Sequence, residues 1–218
     1  MSREQGIGPN AAFIEASLDA AQPNYGFRDG FYTTWEQWLD KNFAALSADP
    51  ELVTVSTDFR VVKWDHDATA ADFIRHNFVI PRWFPLLEGS EYGIKLIVPA
   101  RKVDATADEN SDLKLQCGAS WIDSDDSSDG VDSLATAAVS DALPASVTDT
   151  DGQNFTNIVI DLGAQLKTES ASLLAGRQLA LKLGPNETVG STDMDLQIMQ
   201  PVLEIRRHAV NQVPATEA

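Results

Sequence analysis

The chain changes its hydrophobic period at about residue 50. Before it, apolar positions recur at helical spacing. Asn10 is a good N-cap, and Phe13, Ile14, Leu18 and Ala21 lie on one helical face, so residues 10–21 are expected to form a short amphipathic helix closed by Pro23. Thr34 and Gln37 have the spacing of a capping box, and Trp35, Trp38, Leu39, Phe43 and Leu46 follow at intervals of three and four. A second helix is therefore expected from residue 35 to about 46. Between the two, residues 24–32 hold two glycines and four aromatics with no clean period, which reads as an irregular, sticky loop.

After residue 50 the period is two. Residues 52–56, 59–64 and 73–80 are rich in Val, Ile and Phe. Tyr92, Ile94, Leu96 and Val98 alternate and are expected to stop at Pro99. Leu113, Leu115, Cys117, Ala119 and Trp121 alternate over nine residues, a pattern that no helix face can produce. Residues 158–162 and 179–183 make two further strand faces, and residues 196–206 a last one, bulged or at an edge near Pro201. Residues 134–143 are Ala-rich and ambiguous. About eight strands without interleaved helices argue against a parallel α/β fold. The expected class is all-β: an antiparallel two-sheet β-sandwich of jelly-roll type with a short α-helical N-terminal segment. The expected division is a helical, aromatic arm (1–50), a sandwich (51–208) and a tail (209–218).

Composition sharpens this. Sixteen Lys and Arg stand against 33 Asp and Glu, a net charge of −17. Such a polyanion is repelled by phosphate backbones and anionic lipid, so neither nucleic acid nor membrane is an expected partner. The single cysteine, Cys117, can form no intramolecular disulfide. Its alternation with Leu115 and Ala119 reads as a small buried residue rather than a reactive thiolate. The first residues lack a signal-peptide pattern, and folding in a reducing cytoplasm is expected.

Chemistry-bearing motifs are sparse. Counting Asp125 as the first position, Ser127, Asp129 and Gly130 fit the start of a calcium loop, but Thr136 stands where the closing bidentate Glu belongs. Asp125, Asp129 and Asp132 are the calcium candidates. The plainer alternative is a solvated strand connection, and no other cofactor is expected. Asp65, His66 and Asp67 read as a turn with the two carboxylates capping backbone groups, rather than as a metal clip. The sequence has no nucleophile elbow and no phosphate-binding glycine loop, so an enzyme is not expected.

Aromatics carry the remaining signal. Eight of the 17 precede residue 51. Phe13, Tyr25, Phe27, Phe31, Tyr32, Trp35 and Trp38 are costly to leave in water, and they are expected to pack against protein. Arg82, Trp83 and Phe84, between Pro81 and Pro85, are of the types that dominate interface hot spots.

The β region resembles the jelly-roll or β-sandwich virion proteins of tailed bacteriophages, of the head decoration or cement type. The matching residues are Asp58, Trp64, Phe78, Ile80, Pro81, Gly89, Trp121, Leu173, Gly176, Leu179 and the stretch 193–206, within about residues 52–207. One departure is Gly184-Pro185, where the pattern has an arginine. The resemblance implies a virion protein assembled in the host cytoplasm. It would bind major capsid or other virion proteins and form a homodimer or homotrimer. Two alternatives stand beside a capsid decoration role: a carbohydrate-binding module of a fibre or spike, in which Trp83, Phe84 and Tyr92 would stack on sugars, and a neck or tail protein.

Overall fold

The computed structural model describes residues 28–32, 34–42, 44–47, 49–55, 59–79, 94–104, 110–122, 138–147, 154–163, 166, 178–190 and 193–206. These residues build an all-β sandwich of two antiparallel sheets. The strands are β1 (Arg28–Tyr32), β2 (Glu51–Thr54), β3 (Arg60–Trp64), β4 (Ile74–Val79), β5 (Lys95–Val103), β6 (Lys114–Ile122), β7 (Ala138–Ala142), β8 (Thr156–Asp161), β9 (Gln178–Pro185), β10 (Asp195–Ile198) and β11 (Val202–Arg206). The larger sheet runs β1-β11-β5-β10-β3-β2, with β8 on the other side of β5, and the smaller runs β4-β9-β6-β7.

Period-two alternation explains how the sheets face each other. In the smaller sheet Ile74, Phe78, Leu179, Leu181, Leu183, Leu115, Cys117 and Ala119 point inward. In the larger, Val62, Trp64, Leu96, Val98, Ile158, Ile160, Leu196, Ile198, Leu203 and Ile205 do so. Every one of them is buried. Gly184 is needed for close packing, since a Cβ there would lie 3.1 Å from the Phe73 Cβ and 3.2 Å from the Asp72 carbonyl oxygen.

The strand expected to stop at Pro99 runs through it to Val103. Proline is tolerated because the opposite strand is broken at the same level. Ile198 pairs with Ala100 and Val202 with Ile97, so the partner takes four steps where β5 takes three. That one extra residue makes a bulge at Met199–Pro201, dividing one long strand into β10 and β11. Met199 N–H still donates to the Pro99 carbonyl at 2.8 Å. The bulge expected near Pro201 is thus present, in the sheet interior rather than at its edge.

Three expectations fail before residue 50, the first being that residues 28–32, expected within an irregular loop, form strand β1. The helix over 35–46 is only a 3-10 turn at Trp35–Gln37. The Gln37 amide oxygen does accept the Thr34 N–H at 2.9 Å, but the chain then turns extended. Leu39 bridges to Arg75 through two backbone hydrogen bonds, and the Asp40 carboxylate accepts the N–H groups of Asn42 and Ala44 at 2.8 Å each. A short polar side chain has satisfied the donors that would have propagated a helix. The division at residue 50 also disappears. β1 lies in the larger sheet, paired from Arg28↔Arg206 to Tyr32↔Val202, and Trp35 and Trp38 belong to the sandwich's own core. The helix expected over residues 10–21 lies outside the described residues.

Candidate functional site

The bulge creates a cleft with built walls among the described residues. Because β10 and β11 part at Met199–Pro201, their outer neighbours part too: β3 pairs with β10, and β1 with β11. The gap between Tyr32, at the end of β1, and Arg60, at the start of β3, is a cleft of about 520 Å³, within the range of small-ligand sites. Its floor is apolar: Pro99, Met199, Pro201 and Val202. Tyr32 and Phe59 contribute rings, and Trp35 lies at the base. Glu36, Arg60 and Gln200 are its polar members.

Each wall has a physical cause. Tyr32 pairs with Val202, whose neighbours Leu203 and Ile205 point into the core, so both Val202 and Tyr32 project to solvent. Tyr32 is 81% exposed. Trp35 turns the other way and is buried, its indole N–H donating to the Arg60 carbonyl at 3.0 Å. Phe59 meets Phe155 edge to face at 6.4 Å between centroids. The Phe155 ring covers the Arg101 guanidinium at 4.6 Å, a cation–π contact. Arg101 is itself buried and donates from both Nε and Nη2 to the Gln197 side-chain oxygen at 3.0 and 2.9 Å. Phe59 therefore sits against a fixed stack, and little side-chain freedom is left to lose when a ligand arrives.

At the rim, Glu36 and Arg60 form an exposed ion pair at 3.6 Å. The Glu36 carboxyl is held below the usual carboxylate range, first by a hydrogen bond from its own backbone, then by the Thr34 hydroxyl and the Arg60 charge. It is ionised at neutral pH and acts as an acceptor, while Arg60 acts as a donor.

The expected contact residues divide. Tyr32 and Trp35 line the cleft, whereas Trp38 is a core residue packed on His76 and Phe78. Phe31 contributes its backbone to β1 opposite Leu203. Phe13, Tyr25, Phe27, Arg82, Trp83, Phe84, Tyr92 and the calcium candidates Asp125, Asp129 and Asp132 lie outside the described residues. Phe59, Arg60, Pro99 and residues 199–202 were not expected to act together. The one sequence signal they carry is a proline in each of two strands.

A second cluster, at the other end of β3, is acidic. Lys63 Nζ lies 2.9 Å from Glu51 and 2.7 Å from Asp65. Asp65 was expected to cap a backbone group; its carboxylate instead serves Lys63, and its N–H is capped by Asp49 at 3.2 Å. The turn itself is as expected, closed by Ala68 N–H on the Asp65 carbonyl. Among the described residues no three acidic, histidine or cysteine side chains converge as a metal site would require. Burial pushes the Asp49 carboxyl up to about 6, with the charges of Asp65, Asp72 and Asp67 adding to it.

That shift fixes a pH dependence. An acid whose folded pKa is raised binds its proton more tightly when folded, so its contribution is favourable at low pH and is lost as pH rises from 3.8 through about 6. The full shift corresponds to about 3 kcal/mol, and partial exposure reduces this to about 1 kcal/mol. Asp49→Asn, which keeps an acceptor for Asp65, is expected to raise the melting temperature at pH 7.5 by about 2–4 °C and to leave it unchanged at pH 3.5. Calorimetry at the two pH values is the check; an equal gain at both would remove the electrostatic account.

Cys117 is fully buried and its thiol is pushed up to about 12 by desolvation, which fits the small apolar residue expected.

No family model and no curated protein matches the chain. Among solved structures, the xylan-binding module CBM15 superposes with a TM-score of 0.45 at 9% identity, over 84% of this chain and 100% of that one. A Xylanase10C from Cellvibrio japonicus in complex with xylopentaose gives a TM-score of 0.41 at 7% identity, over 80% of this chain and 28% of that chain. At such values the likeness concerns the course of the chain and bears on no residue of the cleft.

Proposed function

We propose that this protein is a non-catalytic carbohydrate-binding sandwich that holds a neutral glycan in the cleft between β1 and β3. The observation that carries the reading is the solvent-facing Tyr32 ring set beside an apolar floor and a hydrogen-bonding rim. A pyranose ring has an apolar C–H face and an edge of hydroxyls. The face matches Tyr32, Phe59 and the Pro99–Val202 floor, where burial of apolar area supplies the attraction. The edge matches Glu36, Arg60 and Gln200, two of which are ionised and make the stronger charge-assisted bonds. A net charge of −17 disfavours acidic polymers, which is why the ligand is taken as neutral.

The same residues support binding without hydrolysis. A glycosidase needs two carboxyl groups across the scissile bond, one of them protonated. Among the described lining residues Glu36 is the one carboxylate, and its lowered pKa leaves it without a proton to donate. A virion fibre or spike is one setting for such a module. The virion resemblance itself involves Trp64, Phe78 and Leu179, which are core positions, so it speaks for the fold rather than for a ligand.

The test is titration of the full chain with cello-, manno- and xylo-oligosaccharides. Tyr32→Ala is expected to weaken binding about tenfold or more, 1.4 kcal/mol per decade, with an unchanged melting temperature because the ring is exposed. If no oligosaccharide binds, or Tyr32→Ala binds as tightly as wild type, the reading fails. A shift in sedimentation of Tyr32→Ala without any glycan binding would move Tyr32 to a subunit contact, as the virion resemblance implies.

A further inference from the structure

The cleft does not end at β11. Reading the register across the larger sheet, Tyr32 pairs with Val202, Val202 with Ile97, and Ile97 with Val159. Directly paired residues share a face, so these four side chains form a single row across β1, β11, β5 and β8. The face is the outer one: Leu203, Leu96 and Ile160, one step along, are all buried in the core. Tyr32 is 81% and Val159 47% exposed, and Val202 and Ile97 are half-buried between them. At about 4.8 Å per strand the row is about 14 Å long.

Two residues to one side, on the same face, lies the row Glu204, Lys95, Asp161, with charges alternating in sign. Two residues to the other side Pro99 carries on the apolar floor of the cleft, beside the polar Asn157. Away from Pro99 the apolar strip is thus one side chain wide and bordered by Glu204, Lys95, Asp161 and Asn157.

We infer that this row is a binding track that continues the cleft, and that it seats an unbranched neutral glycan along several consecutive sugar units. The inference rests on the carbohydrate reading above and adds the shape of the ligand. Width selects the occupant: a strip one side chain across is far short of the area of a stable protein interface. A linear sugar chain matches it, with ring faces over Tyr32, Val202, Ile97 and Val159 and hydroxyl edges over Lys95, Asp161 and Asn157. Continuity gives the direction, since Tyr32 and Val202 belong to cleft and track alike.

Oligosaccharide ladders test this on the full chain. With cello-, manno- or xylo-oligosaccharides of rising length, wild-type affinity is expected to grow until the track is filled. Val159→Asp places a charge at the end distant from the cleft. It is expected to weaken the longest oligomers about tenfold while leaving disaccharides within about twofold, whereas Tyr32→Ala weakens every length. If Val159→Asp does not fold, Val159→Thr carries the test, because it keeps the β-branched shape and adds only a hydroxyl. Should the Val159 variant bind long oligomers as tightly as wild type while Tyr32→Ala still loses them, the track is wrong and the cleft stands. If no oligomer binds the wild type, both fall.

Discussion

Trp38→Ala is expected to lower the unfolding free energy by about 3–5 kcal/mol, the cost of deleting a large aromatic from a packed core. Trp38 is 1% exposed. Its ring meets Trp35 at 6.5 Å and Phe78 at 6.4 Å, both edge-on, and His76 at 5.0 Å. His76 is held in turn by its Nδ1, 3.0 Å from the Gln37 carbonyl, and burial keeps its pKa below the usual histidine range, so a neutral ring faces the indole. The three rings around it are stiff and fill little of the cavity left by alanine. Denaturant unfolding should therefore show a lower midpoint at an unchanged slope. Trp38→Phe is expected to recover part of the loss. The outcome separates two roles for the residues before 50. A docking arm would lose association and keep its fold; a core residue loses stability and keeps whatever association the chain has. A destabilisation below about 1 kcal/mol would return Trp38 to the first role.

Trp38 also shows where the sequence could be read and where it misled. Strands with both neighbours in place were legible, because burial of one face writes alternation directly into the chain: Leu113 to Trp121 and residues 179–183 are examples. The run from Trp35 to Leu46 has helical spacing for another reason. Trp35 in a 3-10 turn, Trp38 at its extended exit and Leu46 before β2 each reach the same core, and helical intervals result without a helix. β1 was missed because Arg28–Tyr32 carries a glycine and no alternation. What makes it a strand is β11, more than 170 residues away in sequence.

The cleft was harder to see, for a physical reason. Its residues come from β1, the 3-10 turn, the start of β3, the middle of β5 and the β10–β11 bulge. No window of sequence holds more than a few of them. Tyr32 was expected, with the other early aromatics, to pack against protein; its ring is 81% exposed, and which surface it faces depended on the register. Pro99 was read as the end of a strand and Pro201 as a bulge or an edge. Their true meaning is mutual: two chains without an N–H at the same level leave an unladdered spot, and the sheet opens there.

Lys63→Met is expected to cost about 2–3 kcal/mol near neutral pH, a value reduced from that of a fully buried pair because its partners are partly exposed. Lys63 is the cation shared by Glu51 and Asp65, and Asp195 adds a third negative charge to its surroundings. Burial alone would lower its pKa, but the hydrogen bonds it donates to Asp65 and Glu51 outweigh that and the group is raised above the ordinary lysine value. A raised lysine contributes its full stability below 10.5 and loses it only as pH climbs through the folded value. The lower limit comes from its partners, which must be ionised to attract it. The Asp195 carboxyl is already raised by desolvation, with Lys63 opposing the shift, so removing the cation raises it further. The difference between wild type and Lys63→Met is therefore expected to be flat from neutral pH up to about 10 and to shrink in acid, where its attraction to carboxylates is lost. Methionine fills the space of the lysine stem, which leaves charge as the variable. Urea unfolding at pH 7 and at pH 3.5 is the measurement. A loss of equal size at both would mean that Lys63 acts through packing. A loss confined to neutral pH would mean that this sandwich, with twice as many acids as bases, depends on a few well-placed cations to hold its strands together.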